Sequence, residues 1–271
     1  MSDVDRDRIR DLLTHGDLSI VGHLSGASNA TLACTIHDQD QGRDLSCVYK
    51  PRRGERPLWD FATGSLGHRE VASSVLDEFL GWNLVPITVW RVDGPLGAGM
   101  CQIWIDDDPD QPAVDVVSPD RLPPGWLVVL EARTYDGQDV VLAHEDSDIL
   151  KRMCVFDLVA NNADRKGGHV LRDPSGRLVG IDHGLTFHAE PKLRTVLWGW
   201  AGSAIDENVL DDLCGLRHGL EGDDDRLSIL TDLLSPLERI ELLSRVTTLL
   251  DCGRFPTPES GDHPALPWPP M

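Results

Sequence analysis

One stretch, residues 156–187, constrains this chain more than any other: F-D-L-V-A-N-N-A-D-R-K-G-G-H-V-L, a short hairpin, then G-I-D-H-G-L-T-F. An apolar helix ends at Asn161, and a polar cluster follows at once: Asn162, Asp164, Arg165, Lys166 and His169. A strand from His169 to Arg172, a turn at Asp173-Pro174-Ser175-Gly176 and a second strand from Arg177 to Ile181 bring Asp182 back beside the start of the hairpin. Asp164, His169 and Asp182 are therefore expected to converge at one end of a small sheet. Carboxylates plus a neutral imidazole around one point, flanked by Arg165 and Lys166, suit a divalent metal and a polyphosphate.

The chain before that stretch reads as a short helix over 3–14, then strands over 18–24 and 30–36 joined by Ser25-Gly26-Ala27-Ser28-Asn29. A small-residue turn between strands lets backbone N–H groups approach a phosphate, although an ordinary hairpin turn has the same composition. Leu45 to Pro51 is a third strand, ending Tyr49-Lys50-Pro51, with Arg52, Arg53 and Arg56 just beyond. A helix over 65–81 carries the apolar stripe Val71, Val75, Leu76, Phe79 and Leu80, with Glu70 in its first turn. Glu70 is either a solvated helix-start carboxylate or the partner of Lys50. Strands over 85–91 and 99–105 follow, and the acidic, proline-containing run 106–125 is the expected hinge between two lobes.

After the central stretch, a helix is expected from about Asp206, and Ser235-Pro236-Leu237-Glu238 announces the last one as a capping box with proline at its first position. Six prolines after Gly253 predict an extended or disordered tail over 253–271.

A formal charge of −20 over 271 residues argues against nucleic acid and against an anionic membrane, both of which require a basic face, although Arg52, Arg53 and Arg56 could form a local one. No apolar run reaches the length of a membrane span and the first residues are acidic, so a cytoplasmic protein without membrane insertion is expected. Six scattered cysteines without a C-x-x-C pair read as small core residues. Only four lysines accompany 21 arginines, and two of the four, Lys50 and Lys166, fall in the polar clusters.

The order of these pieces resembles the phosphatidylinositol 3-/4-kinase-like superfamily: small-residue hairpin, Y-K-P strand, H-R-E helix, Q-I-W-I strand, N-x-D-R, I-D-H-G. The likeness is greatest to its compact actinobacterial branch, more distant to HipA-type kinases, and covers residues 18 to 250. It implies an α+β, two-lobed, protein-kinase-like fold with an ATP cleft between a β-rich N-terminal lobe (1–105) and a mainly helical C-terminal lobe (106–252).

The resemblance also implies roles. Lys50 would contact the α- and β-phosphates and be held by Glu70, with Gly26, Ser28 and Asn29 covering the phosphates. Gln102, Ile103, Trp104 and Ile105 would offer backbone hydrogen bonds to adenine. Asp164 would orient or deprotonate the acceptor hydroxyl, Arg165 would fix the catalytic loop and Lys166 would neutralise the transferring phosphate. Asp182 would bind Mg²⁺ or Mn²⁺, and His169 stands where the family has a metal-binding Asn, which favours Mn²⁺. The expected function is an ATP-dependent kinase acting on protein Ser/Thr, itself included. Competing expectations are an inositol lipid or soluble polyol acceptor, and a nucleotide-binding pseudokinase.

Overall fold

The computed structural model describes residues 3–24, 29–222, 224–258 and 264–271. Gly26 and Ser28, expected over the phosphates, lie outside the described residues.

Five strands, β1 (Leu18–His23), β2 (Leu32–Asp38), β3 (Arg43–Pro51), β4 (Thr88–Gly94) and β5 (Gly97–Ile103), form an antiparallel sheet in the order β1-β2-β3-β5-β4. Strand side chains alternate between faces. Cys47 and Tyr49 of β3 point into an apolar cluster with Leu13 of helix α1 (Asp3–His15), Leu32, Ile36 and Cys101. Val48 and Lys50 consequently face the opposite side, where helix α2 (Leu66–Leu80) lies. The period of two in one strand thus decides that its lysine meets α2.

Helix α2 carries no proline and ends at Gly81, whose left-handed φ of 67° is cheap only for glycine. Its first free N–H groups, on Leu66 and Gly67, donate to the Glu55 carboxylate at 3.3 and 3.0 Å. Ser74 still meets the sheet at Thr88, but the opposite face of α2 packs away from it. Ala72, Leu76 and Leu80 belong to the larger core, with α3 (Asp148–Ala160), α4 (Glu207–Glu221) and α6 (Pro236–Cys252). The helix that carries Glu70 is therefore anchored to the second half of the chain.

That half also holds a three-stranded sheet, β6 (Val114–Val117), β7 (Trp126–Arg133) and β8 (Asp139–Glu145) in the order β6-β8-β7. A hairpin of β9 (Val170–Arg172) and β10 (Leu178–Gly180) and a short helix α5 (Leu230–Leu233) complete it. The architecture is α+β, sheet-rich up to Ile103 and mainly helical from Asp148.

Three sequence expectations change. The run 106–125 is not wholly irregular, because Val114–Val117 pairs with β8, where hydrophobic partners outweigh the acidic surroundings. His169 sits in a single 3-10 turn, and β9 begins one residue later. Residues 264–271 are not a free tail: Pro267 is buried and Leu266 packs on the large core. The capping box at Ser235 and Glu238 is present, and all six cysteines are free, four of them buried. No helix among the described residues is long and apolar enough to cross a membrane.

Candidate active site

Lys50 is the junction of the site. Its ammonium donates to Glu70 Oε1 at 2.6 Å and to Asp182 Oδ1 at 2.8 Å, tying the five-stranded sheet to α2 and to the segment after β10. Glu70 is buried, at 2% exposure, and its second oxygen, Oε2, has no partner among the described residues. Burial pushes the Glu70 carboxyl up, and the neighbouring ammonium partly reverses this. Burial acts against the Lys50 charge, but Glu70 and Asp182 more than offset it and hold the ammonium above the ordinary lysine value. Lys50 in turn holds the half-exposed Asp182 well below the usual carboxylate range. An ammonium between two carboxylates is fully charged, with one donor left for a further anion.

The hairpin explains why Asp182 and His169 meet. Val170 pairs with Gly180, and the Ile181 N–H donates to the His169 carbonyl at 2.9 Å, extending the ladder by one step. His169 Nε2 then stands 3.5 Å from Asp182 Oδ2. Asp182 has a left-handed φ of 58°, a strained conformation for a residue with a Cβ, which aims its carboxylate back at Lys50. Burial keeps His169 below its ordinary value and so neutral.

Asp164 lies on the same cleft, and its Oδ2 accepts from Lys166 Nζ at 3.0 Å. Its backbone N–H is held by Asn162 Oδ1 at 3.0 Å. Behind it, fully buried Arg165 locks three segments. The guanidinium donates to Asp157 of α3 at 2.9–3.1 Å, to the Ile181 carbonyl at 3.2 Å and to the His169 carbonyl at 3.4 Å. It also donates to His183 Nε2 at 2.7 Å, and burial beside that cation keeps His183 neutral, as an acceptor must be. Asp157 accepts from Thr195 Oγ1 and Asn162 Nδ2 as well, so both its oxygens are saturated.

Two recesses flank the Lys50–Asp182 pair, and both are lined by Asn29, Lys50 and Asp182. The larger, about 370 Å³, also meets Glu55, Arg56, Leu58, Glu70, Asp164 and Leu185. The smaller, about 190 Å³, is bounded by Leu24, Thr31, Val48, Gln102, His169 and Ile181. Together they have the size of a small-molecule cleft, apolar at one end and ionic at the other.

The segment 102–105, expected to meet adenine, is more committed than that role requires. Gln102 is paired on both sides and its amide donates to Thr88 Oγ1 at 2.7 Å. The N–H groups of Ile103 and Trp104 donate to Ile87 and Ser46 carbonyls, both at 3.0 Å. Ile105, just past β5, is the member of that segment whose N–H has no partner among the described residues.

Among the described residues no group of three or more His, Cys, Asp or Glu is arranged around a metal position. Asp182 and His169 alone would suit a divalent ion that completes its shell with phosphate oxygens and water, and the open side of the half-exposed Asp182 fits that demand. The His169 Nδ1 atom, buried without a partner, leaves the ring free to present its lone pair at Nε2.

Of the residues singled out from sequence, Lys50, Glu70, Asp164, Lys166, His169, Asp182, Asn29 and Gln102 come together around one cleft, with Arg165 beneath it. Asp157, Glu55, Val48 and Ile181 were missed, while Asn162, named in the polar cluster, holds the Asp164 N–H rather than lining the cleft. A signal for Asp157 existed: a lone carboxylate inside the apolar helix F-D-L-V-A needs a buried cation, and Arg165 follows eight residues later.

No family model matches the chain. Protein Rv2133c of Mycobacterium tuberculosis is 45% identical over 274 aligned residues, covering 97% of this chain and 96% of that one. The chain belongs to the Rv2133c family. Among solved structures, a Helicobacter pylori proinflammatory kinase, CtkA, is similar with a TM-score of 0.47 and 13% identity, over 89% of this chain and 94% of the other. A likeness of that size leaves the function of the Rv2133c-family chain to be read from its own site.

Proposed function

We propose that this chain is an ATP-dependent phosphotransferase of the phosphatidylinositol 3-/4-kinase-like kind, passing the γ-phosphate to a protein serine or threonine, its own included. The observation that carries the reading is the Lys50 ammonium, bonded at once to Glu70 and Asp182 on a cleft that also presents Asp164. Such an arrangement costs desolvation of three charges and suits a ligand that brings several negative charges of its own.

In this reading the base of ATP enters the smaller recess against Val48 and Ile181, with Ile105 offering its free N–H. The polyphosphate crosses Lys50, which trades its bond to Asp182 for phosphate oxygens while Glu70 keeps it in place. The acceptor hydroxyl approaches through the larger recess, past Leu58 and Leu185. Its oxygen bonds to the γ-phosphorus as the bridging bond to the β-phosphate breaks, and its proton passes to the Asp164 carboxylate. Lys166, 3.0 Å from Asp164, neutralises charge on the transferring group. A Mg²⁺ or Mn²⁺ ion held by Asp182 and His169 would neutralise the phosphates when bound. A protein acceptor is favoured over a membrane lipid because the net charge of −20 repels an anionic surface.

The test is incubation with γ-labelled ATP and either metal, beside Asp164→Ala, followed by mass spectrometry. Label on the wild-type protein alone supports the proposal and names the modified residue. ATP hydrolysis without protein label moves the acceptor to polyols or lipids. Binding without hydrolysis or transfer under either metal refutes the phosphotransferase.

A further inference from the structure

The segment 264–271 is proline-rich, yet it lies along the loop that carries Asp164 and His169. The Gly167 N–H donates to the Pro270 carbonyl at 2.8 Å. Ala265 offers its carbonyl to two donors, the Thr195 N–H at 3.1 Å and Trp198 Nε1 at 3.0 Å. Thr195 is itself bridged to Arg165 and bonded through its hydroxyl to Asp157. Both ends of the segment are thus tied to groups that set the loop's position.

Gly167 supplies an independent observation. Its φ is not left-handed, so its backbone does not call for glycine. The space a Cβ would take is filled by the Met271 thioether, with Val114 Cγ1 next, 3.2 Å from that position. At Gly168 a Cβ would stand 4.0 Å from the Met271 carbonyl carbon. Gly167 is small because another part of the chain packs there, whereas Gly168 would accept a Cβ at ordinary contact distance. Met271 itself is 43% exposed, so its contact with Gly167 adds little burial, and its effect falls on the loop rather than on the core.

None of residues 264–271 lines either recess of the cleft. The segment supports the loop from behind and leaves the path to Asp164 open, so it braces and does not block.

We propose that residues 264–271 are a positioning brace for the phosphoryl-transfer loop, with Met271 and the Pro270 carbonyl fixing Gly167 and, through it, Asp164 and His169. The inference rests on the phosphotransferase reading for its kinetic consequence, and on geometry alone for its structural one. Two readouts on the full-length chain separate them: amide hydrogen exchange of residues 164–169, and steady-state kinetics with ATP.

Met271→Ala is expected to raise exchange in that loop about tenfold and to lower kcat by a similar factor, with KM for ATP changed less than about twofold. Gly167→Ala, which drives a methyl into the thioether, should do the same. Combining the two should bring both readouts back to within about threefold of wild type, because the new methyl occupies the vacated space. Wild-type exchange and kcat in Met271→Ala would overturn the brace, as would a double variant no better than the worse single one. If no chain turns over ATP, the phosphotransferase reading fails while the exchange measurement still decides the brace.

Discussion

Replacing Asp157 by alanine isolates the contact on which the loop geometry depends. Asp157 and Arg165 are both fully buried, and the carboxylate accepts three bonds from the guanidinium, one from Thr195 and one from Asn162. Removing the anion leaves a buried guanidinium without its counter-charge, a loss of about 3–5 kcal/mol when one member of such a pair is deleted. Two orphaned donors on Thr195 and Asn162 place the expectation at the upper end. For a chain of this length 1 kcal/mol moves the melting temperature by about 2 °C, so Asp157→Ala should melt about 8–10 °C lower by calorimetry. The companion Asp157→Leu/Arg165→Met removes both charges and fills the volume. It should recover the part of the loss due to the unpaired charge but not activity, because the Thr195 and Asn162 donors stay orphaned and the bonds to the Ile181 and His169 carbonyls are gone. A drop of under about 1 kcal/mol in Asp157→Ala would refute the reasoning, since a truly buried pair cannot lose one charge at that cost.

Three further outcomes are expected. Lys50→Met should lower kcat/KM for ATP by about 10²–10³-fold while the melting temperature holds within a few degrees, because Glu70 can take up a proton once its partner is gone; assay and melting curve on one preparation decide this. His169→Asn should lower the ratio of Mn²⁺- to Mg²⁺-supported rates by about tenfold, and an unchanged ratio removes His169 from the metal site. Asp77, whose carboxylate accepts the Leu84 and Val85 N–H groups, is pushed up from 3.8 to about 6 by burial. The folded state holds that proton more tightly than the unfolded chain, so Asp77's contribution to stability is greatest below pH 4 and falls as pH rises to 6. Denaturant titrations at pH 4 and 7 should show wild type losing about 2–3 kcal/mol relative to Asp77→Asn across that window, and parallel curves would contradict the assignment.

What the sequence disclosed, and what it withheld, follows from the range of the forces involved. Lys50 could be placed because β3 alternates, and alternation is a local property: once Cys47 and Tyr49 are core, Lys50 is not. The hairpin could be placed because Asp173-Pro174-Ser175-Gly176 is a turn in any context, and it alone brings Asp182 to His169. Glu70 was ambiguous for the same reason. A carboxylate near a helix start has a local explanation, and only the packing of Gly67 against Trp90 and Met100 and of Ser74 against Pro86 and Thr88 turns that face of α2 inward.

Residues 264–271 are without helix or strand, as a proline-rich run predicts, but what the rule does not foresee is that they dock. Proline removes a backbone donor and blocks regular structure, which is why a proline-rich run predicts an extended chain. It leaves every carbonyl in place, however, and the bonds that dock this segment all use carbonyls, of Ala265 and Pro270. Their donors belong to Gly167, Thr195 and Trp198, distant in sequence and spare in the loops that hold them. A loop with unpaired N–H groups needs acceptors that cannot form a strand of their own, and a proline-rich segment supplies that. Gly167, which has no conformational reason to be glycine, was the mark left in the sequence: the Met271 thioether occupies the place its side chain would take.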